Sequence, residues 1–210
     1  MPAKKKTETF SAAAPAKNSP SAKRPVLADA DKAFLLVIDV QERLFASIEE
    51  KAKDTIEINV PVLIQGCRAL GLPVIVSEQY SKGLGPTIPV IKEKLEGCRF
   101  YDKTSFSVTL DPELNAALEE MQAAGRSQAI VCGIETHVCV YQSVFFMLER
   151  GFDVFVPREC VASRFKHNWK TGLALMERCG AEITSIETLL FSMMRGAKHP
   201  AFKQVQSLIK

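Results

Sequence analysis

Short, continuous apolar runs occur at Phe34–Asp39, Pro73–Ser77, Arg99–Asp102, Gln128–Cys132, Asp153–Pro157 and Glu182–Ser185, each bounded by Gly, Pro or polar turn residues. Runs of this length and setting predict strands, several buried on both faces. The intervals carry helical patterns, clearest over Glu49–Leu70, Pro112–Ala124, Val138–Arg150 and His167–Cys179; Gly151 and Gly180 close the last two. Within Val138–Arg150, the stripe Val144, Phe145 and Leu148 has core spacing. Strand alternating with helix predicts an α/β fold: three layers, doubly wound, with a mostly parallel six-stranded sheet covered on both faces.

Three of these strands end on residues that carry chemistry. Ile130-Val-Cys-Gly-Ile-Glu-Thr-His-Val-Cys-Val-Tyr-Gln-Ser143 delivers Cys139 to the start of a helix. Unpaired amides and the positive end of the helix dipole favour a thiolate there. The ordinary alternative is an inert core cysteine. Phe34-Leu-Leu-Val-Ile-Asp39 ends in a carboxylate, either a catalytic group or a cap for the next helix. Arg99-Phe-Tyr-Asp-Lys103 ends in a lysine, either a site residue or an ordinary surface one.

Together these segments resemble the isochorismatase-like cysteine hydrolases, which include the nicotinamidases. That family has Asp after the first strand, Lys after the third, and Cys in a Gly-x-x-Thr-x-x-Cys-Val segment after the fourth. Here they are Asp39, Lys103 and Cys139, the last within Gly133-Ile-Glu-Thr-His-Val-Cys-Val140. Ser77-Glu-Gln-Tyr-Ser-Lys-Gly-Leu-Gly85 and Lys103-Thr-Ser-Phe-Ser107 point to the branch of isochorismatase domain-containing proteins.

The resemblance implies a Rossmann-like strand order of 3-2-1-4-5-6, with Asp39 and Cys139 facing each other at the switch point. It implies Cys139 as nucleophile, held as a thiolate by the Lys103 ammonium, and Asp39 as general base. A thioester intermediate follows. The backbone amides of Glu135 and Cys139 form the oxyanion hole, beside a cis bond between Ile134 and Glu135. Gln41, Phe45, Gln79 and Tyr80 are the residues read as lining a substrate pocket. The substrate class is a small amide-like molecule, with no cofactor and no metal. The nicotinamidase metal ligands, an Asp and two His after the second strand, are absent from Glu78-Gln-Tyr-Ser-Lys-Gly83. Glu135 is an awkward neighbour for an oxyanion hole unless it faces away, is protonated, or serves other chemistry. His137 beside Cys139 or Cys132 lacks the further ligands that zinc requires.

Composition adds limits. The chain has 210 residues, 47% of them hydrophobic, which suits one domain, read as residues 26–210. Six cysteines show no CxxC spacing, as expected for free thiols in a reducing compartment. Residues 1–25 hold six basic residues against one acid, so the rest of the chain is −2 although the whole is +3. This Ala-, Ser-, Lys- and Pro-rich tail reads either as a disordered segment or as a mitochondrial presequence, placing the protein in the cytoplasm or the mitochondrion. No run is long and apolar enough to span a bilayer, so no membrane association is expected. A homo-oligomer is expected. The rival functional reading is a non-catalytic or nucleic-acid-associated, ribonuclease-type protein on the same fold that uses the basic tail to bind acidic partners.

Overall fold

The computed structural model describes residues 25–210. The basic tail, apart from Pro25, lies outside them. Seven strands occur in the described residues: β1 (Ala33–Ile38), β2 (Val74–Gln79), β3 (Arg99–Lys103), β4 (Gln128–Ile134), β5 (Asp153–Pro157), β6 (Val161–Ala162) and β7 (Glu182–Thr184). The helices are α1 (Glu42–Ala46), α2 (Glu50–Ala69), α3 (Ser81–Leu84), α4 (Pro89–Lys92), α5 (Pro112–Ala123), α6 (Tyr141–Glu149), α7 (Lys166–Cys179), α8 (Ile186–Met194) and α9 (Phe202–Ile209).

The sheet runs β3-β2-β1-β4-β5-β7, with every strand pair parallel. The chain winds outward from β1 in one direction and from β4 in the other, so the switch point of the sheet, where such folds place their ligands, lies between their carboxyl ends. One strand corrects the expected six. β4 pairs β5 over Gln128–Ile130. Past Pro157 the chain makes a tight turn at Arg158–Cys160 and returns as β6 against the end of β4, with Gly133 opposite Val161 and Ile134 opposite Ala162. A two-residue strand has no periodicity to read.

Alternation along the strands feeds two cores. Leu35, Val37, Ile130, Cys132 and Ile134 face α2, α8 and α9, packing on Ile56, Val60, Leu63, Ile64, Cys67, Leu190 and Val205. Phe34, Leu36, Ile38, Ala129 and Val131 face α5, α6 and α7, packing on Leu114, Leu118, Val144, Met147 and Met176. Because period-two alternation fills both sides, a slip of one residue in β1 would exchange the two sets. Asp111 starts α5 by accepting the amides of Glu113 and Leu114, each at 3.1 Å. The amphipathic α9 and the mostly apolar α8 extend the fold beyond the last helix read from the pattern. No described helix is long and apolar enough to cross a membrane.

Candidate active site

Register brings the chemistry to one edge. Ile38 lies opposite Ser77, and Gln79 opposite Lys103, so β1, β2 and β3 end side by side. Asp39 then turns into the left-handed region at φ 54°, a conformation that Asp tolerates better than most residues. Its side chain is fully buried. Oδ1 accepts the Ser77 hydroxyl at 2.7 Å, and Oδ2 accepts Lys103 Nζ at 2.7 Å. Lys103 Nζ also donates to Gln79 Oε1 at 2.6 Å and to the Ser105 carbonyl at 3.1 Å. Three acceptors use its three protons. The ammonium therefore acts through Asp39.

Cys139 arrives from β4. Gly133 has φ 128°, and a Cβ there would lie 2.0 Å from the Ile38 carbonyl oxygen, so only glycine lets β4 pass β1 this closely. The Ile134–Glu135 peptide is cis. Instead of an α-helix from Val138, the chain makes a wide π-type turn over Thr136–Val140 before α6 starts at Tyr141. The Glu135 carbonyl takes the amides of Val138 at 3.0 Å and Val140 at 3.3 Å, on either side of Cys139. Such turns are frequent at functional sites. α7 supports this one from behind. A Cβ on Gly172 would lie 2.8 Å from the Thr136 carbonyl oxygen and 2.9 Å from the His137 amide nitrogen.

The thiol itself corrects the expectation of a resting thiolate. Burial pushes the Cys139 pKa up to about 12, and the Asp39 carboxylate, which also accepts its hydrogen bond, pushes the same way; Lys103 opposes them and Glu135 adds to the rise. Burial outweighs the helix terminus here. Near neutral pH Cys139 is therefore a thiol, beside the Asp39 carboxylate.

The remaining residues take distinct places. Glu135 is buried but not unpaired: its carboxylate accepts the Arg164 backbone amide at 2.9 Å and Arg164 Nε at 3.1 and 3.3 Å. His137 Nδ1 lies 3.0 Å from Ser163 Oγ. The Gln41 amide is consumed within the protein, donating to the Gln79 and Gly85 carbonyls and accepting the Gln79 amide. Gln79 additionally donates to the Thr104 carbonyl. Phe45 packs in the α2-side core, whereas Cys139 belongs to the other. Tyr80 follows β2 with its side chain largely exposed. Two surface clefts, one bounded by Glu42, Pro86 and Lys92 and one by Arg68, Cys98 and Arg99, do not include Asp39, Lys103 or Cys139. Chemistry rather than cavity size marks the site. Among the described residues, no group of three or more His, Cys, Asp or Glu side chains could hold a metal ion.

Ser77, Arg164 and Gly172 were not read from the sequence as site residues. Gly172 did leave a signal, a glycine inside a helical pattern, which commonly marks close packing. Arg164 left none, because its partner lies 29 residues away across a two-residue strand.

Residues 33–188 match the family model described as the isochorismatase domain. Isochorismatase domain-containing protein 1 of Salmo salar is 40% identical over 173 residues, covering 82% of this chain and 59% of its own. The chain thus spans about three fifths of that relative's length. The structure of MAR1 ribonuclease from Caenorhabditis elegans is 37% identical, with a TM-score of 0.80, covering 88% of this chain and 92% of that one. The Escherichia coli YcaC gene product, described as an octameric hydrolase of unknown specificity, shares the fold at 22% identity and a TM-score of 0.76, covering 89% and 96% of the two chains. By motif order, by fold and by a family match running from β1 into α8, this chain belongs to the isochorismatase-domain family.

Proposed function

We propose that the protein is a cysteine hydrolase of small amide-like molecules, with Asp39 as base, Cys139 as nucleophile and Lys103 as the cation that pairs with Asp39 and holds it in place. The observation that carries this reading is the fully buried Asp39 carboxylate, which accepts Ser77 and Lys103 and lies near enough to Cys139 to push its thiol pKa up. A carboxylate paired with a cation beside a thiol is arranged to take the thiol's proton.

The steps follow from that arrangement. As the Cys139 sulfur bonds to the carbonyl carbon, its proton passes to Asp39, and negative charge moves onto the carbonyl oxygen. The amides of Glu135 and Cys139 are assigned to receive that oxygen. Asp39 returns the proton to the leaving amine as the C–N bond breaks, leaving a thioester. Water then attacks the thioester, giving a proton to Asp39, and the released sulfur takes that proton back. Because the nucleophile is a thiol at rest, proton transfer and attack are coupled, and the base is essential rather than auxiliary.

Gln79 and Tyr80 at the end of β2 are assigned to the substrate wall, with Gln41 shaping it through the Gln79 backbone. An oligomer, as described for the E. coli relative, is part of the proposal. A panel of small carboxamides, assayed for released ammonia or amine with Cys139→Ala as the blank, tests it. Turnover lost in both Cys139→Ala and Asp39→Asn is expected. RNA cleavage that survives Cys139→Ala, with no carboxamide turned over, would favour the ribonuclease reading suggested by the C. elegans relative's name.

A further inference from the structure

The catalytic turn is built beside a negative charge that it would be easier to do without. Glu135 is 8% exposed and raises the Cys139 pKa. Its charge opposes both a sulfur anion and an oxygen anion at the adjacent amides. The fold answers from β6. Pairing of Val161 and Ala162 with Gly133 and Ile134 sets the two chain segments in register. Immediately beyond, Ser163 meets His137, and Arg164 meets Glu135 with both its backbone amide and its Nε. The Glu135 side chain is 10% exposed and that of Arg164 50%, so one partner is held inside and the other lies at the rim.

We infer that Arg164 is a positioning residue for the reaction, holding Glu135 in place and cancelling a charge that would otherwise oppose negative charge at Cys139 and at the bound carbonyl oxygen. The inference rests on the cysteine-hydrolase reading above. Arg164 touches neither the nucleophile nor the base. It acts through Glu135, and β6 is the element that brings it there. The arrangement also resolves the awkward neighbour: Glu135 is tolerated beside the reacting carbonyl because its charge is paired where it sits.

The test compares wild type with Arg164→Met, Arg164→Lys, Glu135→Gln and the double variant Arg164→Met/Glu135→Gln. Iodoacetamide labelling of Cys139 is followed at pH 8 by peptide mass spectrometry, with Cys139→Ala identifying the peptide and thermal unfolding run in parallel. Below the thiol pKa the labelling rate follows the thiolate fraction, tenfold for each pH unit.

Arg164→Met should slow labelling by roughly three- to tenfold, since it exposes the sulfur to an unpaired carboxylate. Glu135→Gln should accelerate it, and the double variant should return to within about twofold of wild type. Arg164→Lys, which keeps the charge, should lie between. A double variant as slow as Arg164→Met would show a merely structural role and overturn the inference, as would an unchanged Arg164→Met. Should Arg164→Met fail to fold, Arg164→Gln takes its place, alone and with Glu135→Gln: slowing that the second substitution reverses supports the inference, and an unchanged rate overturns it. Carboxamide turnover that survives Cys139→Ala would overturn the nucleophile itself, and this inference with it.

Discussion

Replacing Lys103 by Met keeps most of the unbranched side chain and removes its charge. The wild-type ammonium is fully buried, as is the Asp39 carboxylate 2.7 Å away, and two further acceptors, Gln79 Oε1 and the Ser105 carbonyl, depend on it. The variant leaves a buried carboxylate with the Ser77 hydroxyl but no cation. Breaking such a pair on one side costs about 3–5 kcal/mol. For a chain of this size each kcal/mol lowers Tm by roughly 2–4 °C, so a fall of about 6–20 °C is expected. Arg99 and Glu113 supply the internal control. That pair is also close, at 3.0 Å, but its side chains are 69% and 74% exposed, and Arg99→Gln should cost less than about 1 kcal/mol. The double variant Asp39→Asn/Lys103→Met removes both charges and should recover much of the Lys103→Met loss. Urea unfolding at pH 7 measures these three variants and Asp39→Asn against wild type. A Lys103→Met protein no less stable than Arg99→Gln, or a double variant as unstable as the two losses added, would refute the claim that burial and pairing make this network strong.

Gly172→Ala should lower stability by about 1–3 kcal/mol and reduce turnover beyond that, because the new Cβ meets the backbone of the Thr136–His137 turn; unchanged kinetics in a destabilised protein would separate α7 from the site. Thr136→Val should be neutral or stabilising by calorimetry, since the buried Thr136 hydroxyl has no partner among the described residues and losing an unsatisfied polar group is favourable. The raised Cys139 pKa sets two pH trends. Labelling of Cys139 by iodoacetamide should be slow at pH 6 and climb about tenfold per unit through pH 8–10; a plateau below pH 8 would restore the resting thiolate. Because the folded thiol binds its proton more tightly than the unfolded one, the stability it contributes is present below pH 8.5–9 and is lost as the pH rises toward about 12. Cys139→Ala should therefore flatten the alkaline fall in Tm.

Much of this fold is legible in the chain because its strands are uninterrupted apolar runs. β1 and β4 are buried along their whole length, and no competing pattern disguises them. α2 is predicted to within a residue at each end, despite Pro61 inside it, because its apolar stripe outlasts one lost hydrogen bond. β6 and the π-type turn are not legible. The first is too short for a period, and the second depends on how β4 ends against β1. Asp39, Lys103 and Cys139 stand out as strand-end residues in a familiar order. The state of the thiol does not, because reading a helix terminus and a lysine weighs two cationic influences and omits burial and the carboxylate, which need coordinates. Ser77 and Arg164 escape for a related reason: a serine in an apolar strand and an arginine in a loop become meaningful only through register.

The sheet sorts the cysteines by side. Cys67, Cys132 and Cys160 lie in the α2-side core, Cys139 in the opposite one, while Cys179 is exposed and Cys98 partly so. This distribution makes the chain its own opening meter. A small neutral electrophile reaches Cys179 and Cys98 from solvent, whereas the three α2-side thiols wait for helix and sheet to part. In the limit where reclosing outruns modification, their capture rates report the free energy of that parting. If α2 lifts away as one unit, the three should vanish at a common rate that denaturant accelerates with a single slope. Unequal rates would divide that face into separately breathing patches, with β4 exposing Cys132 last.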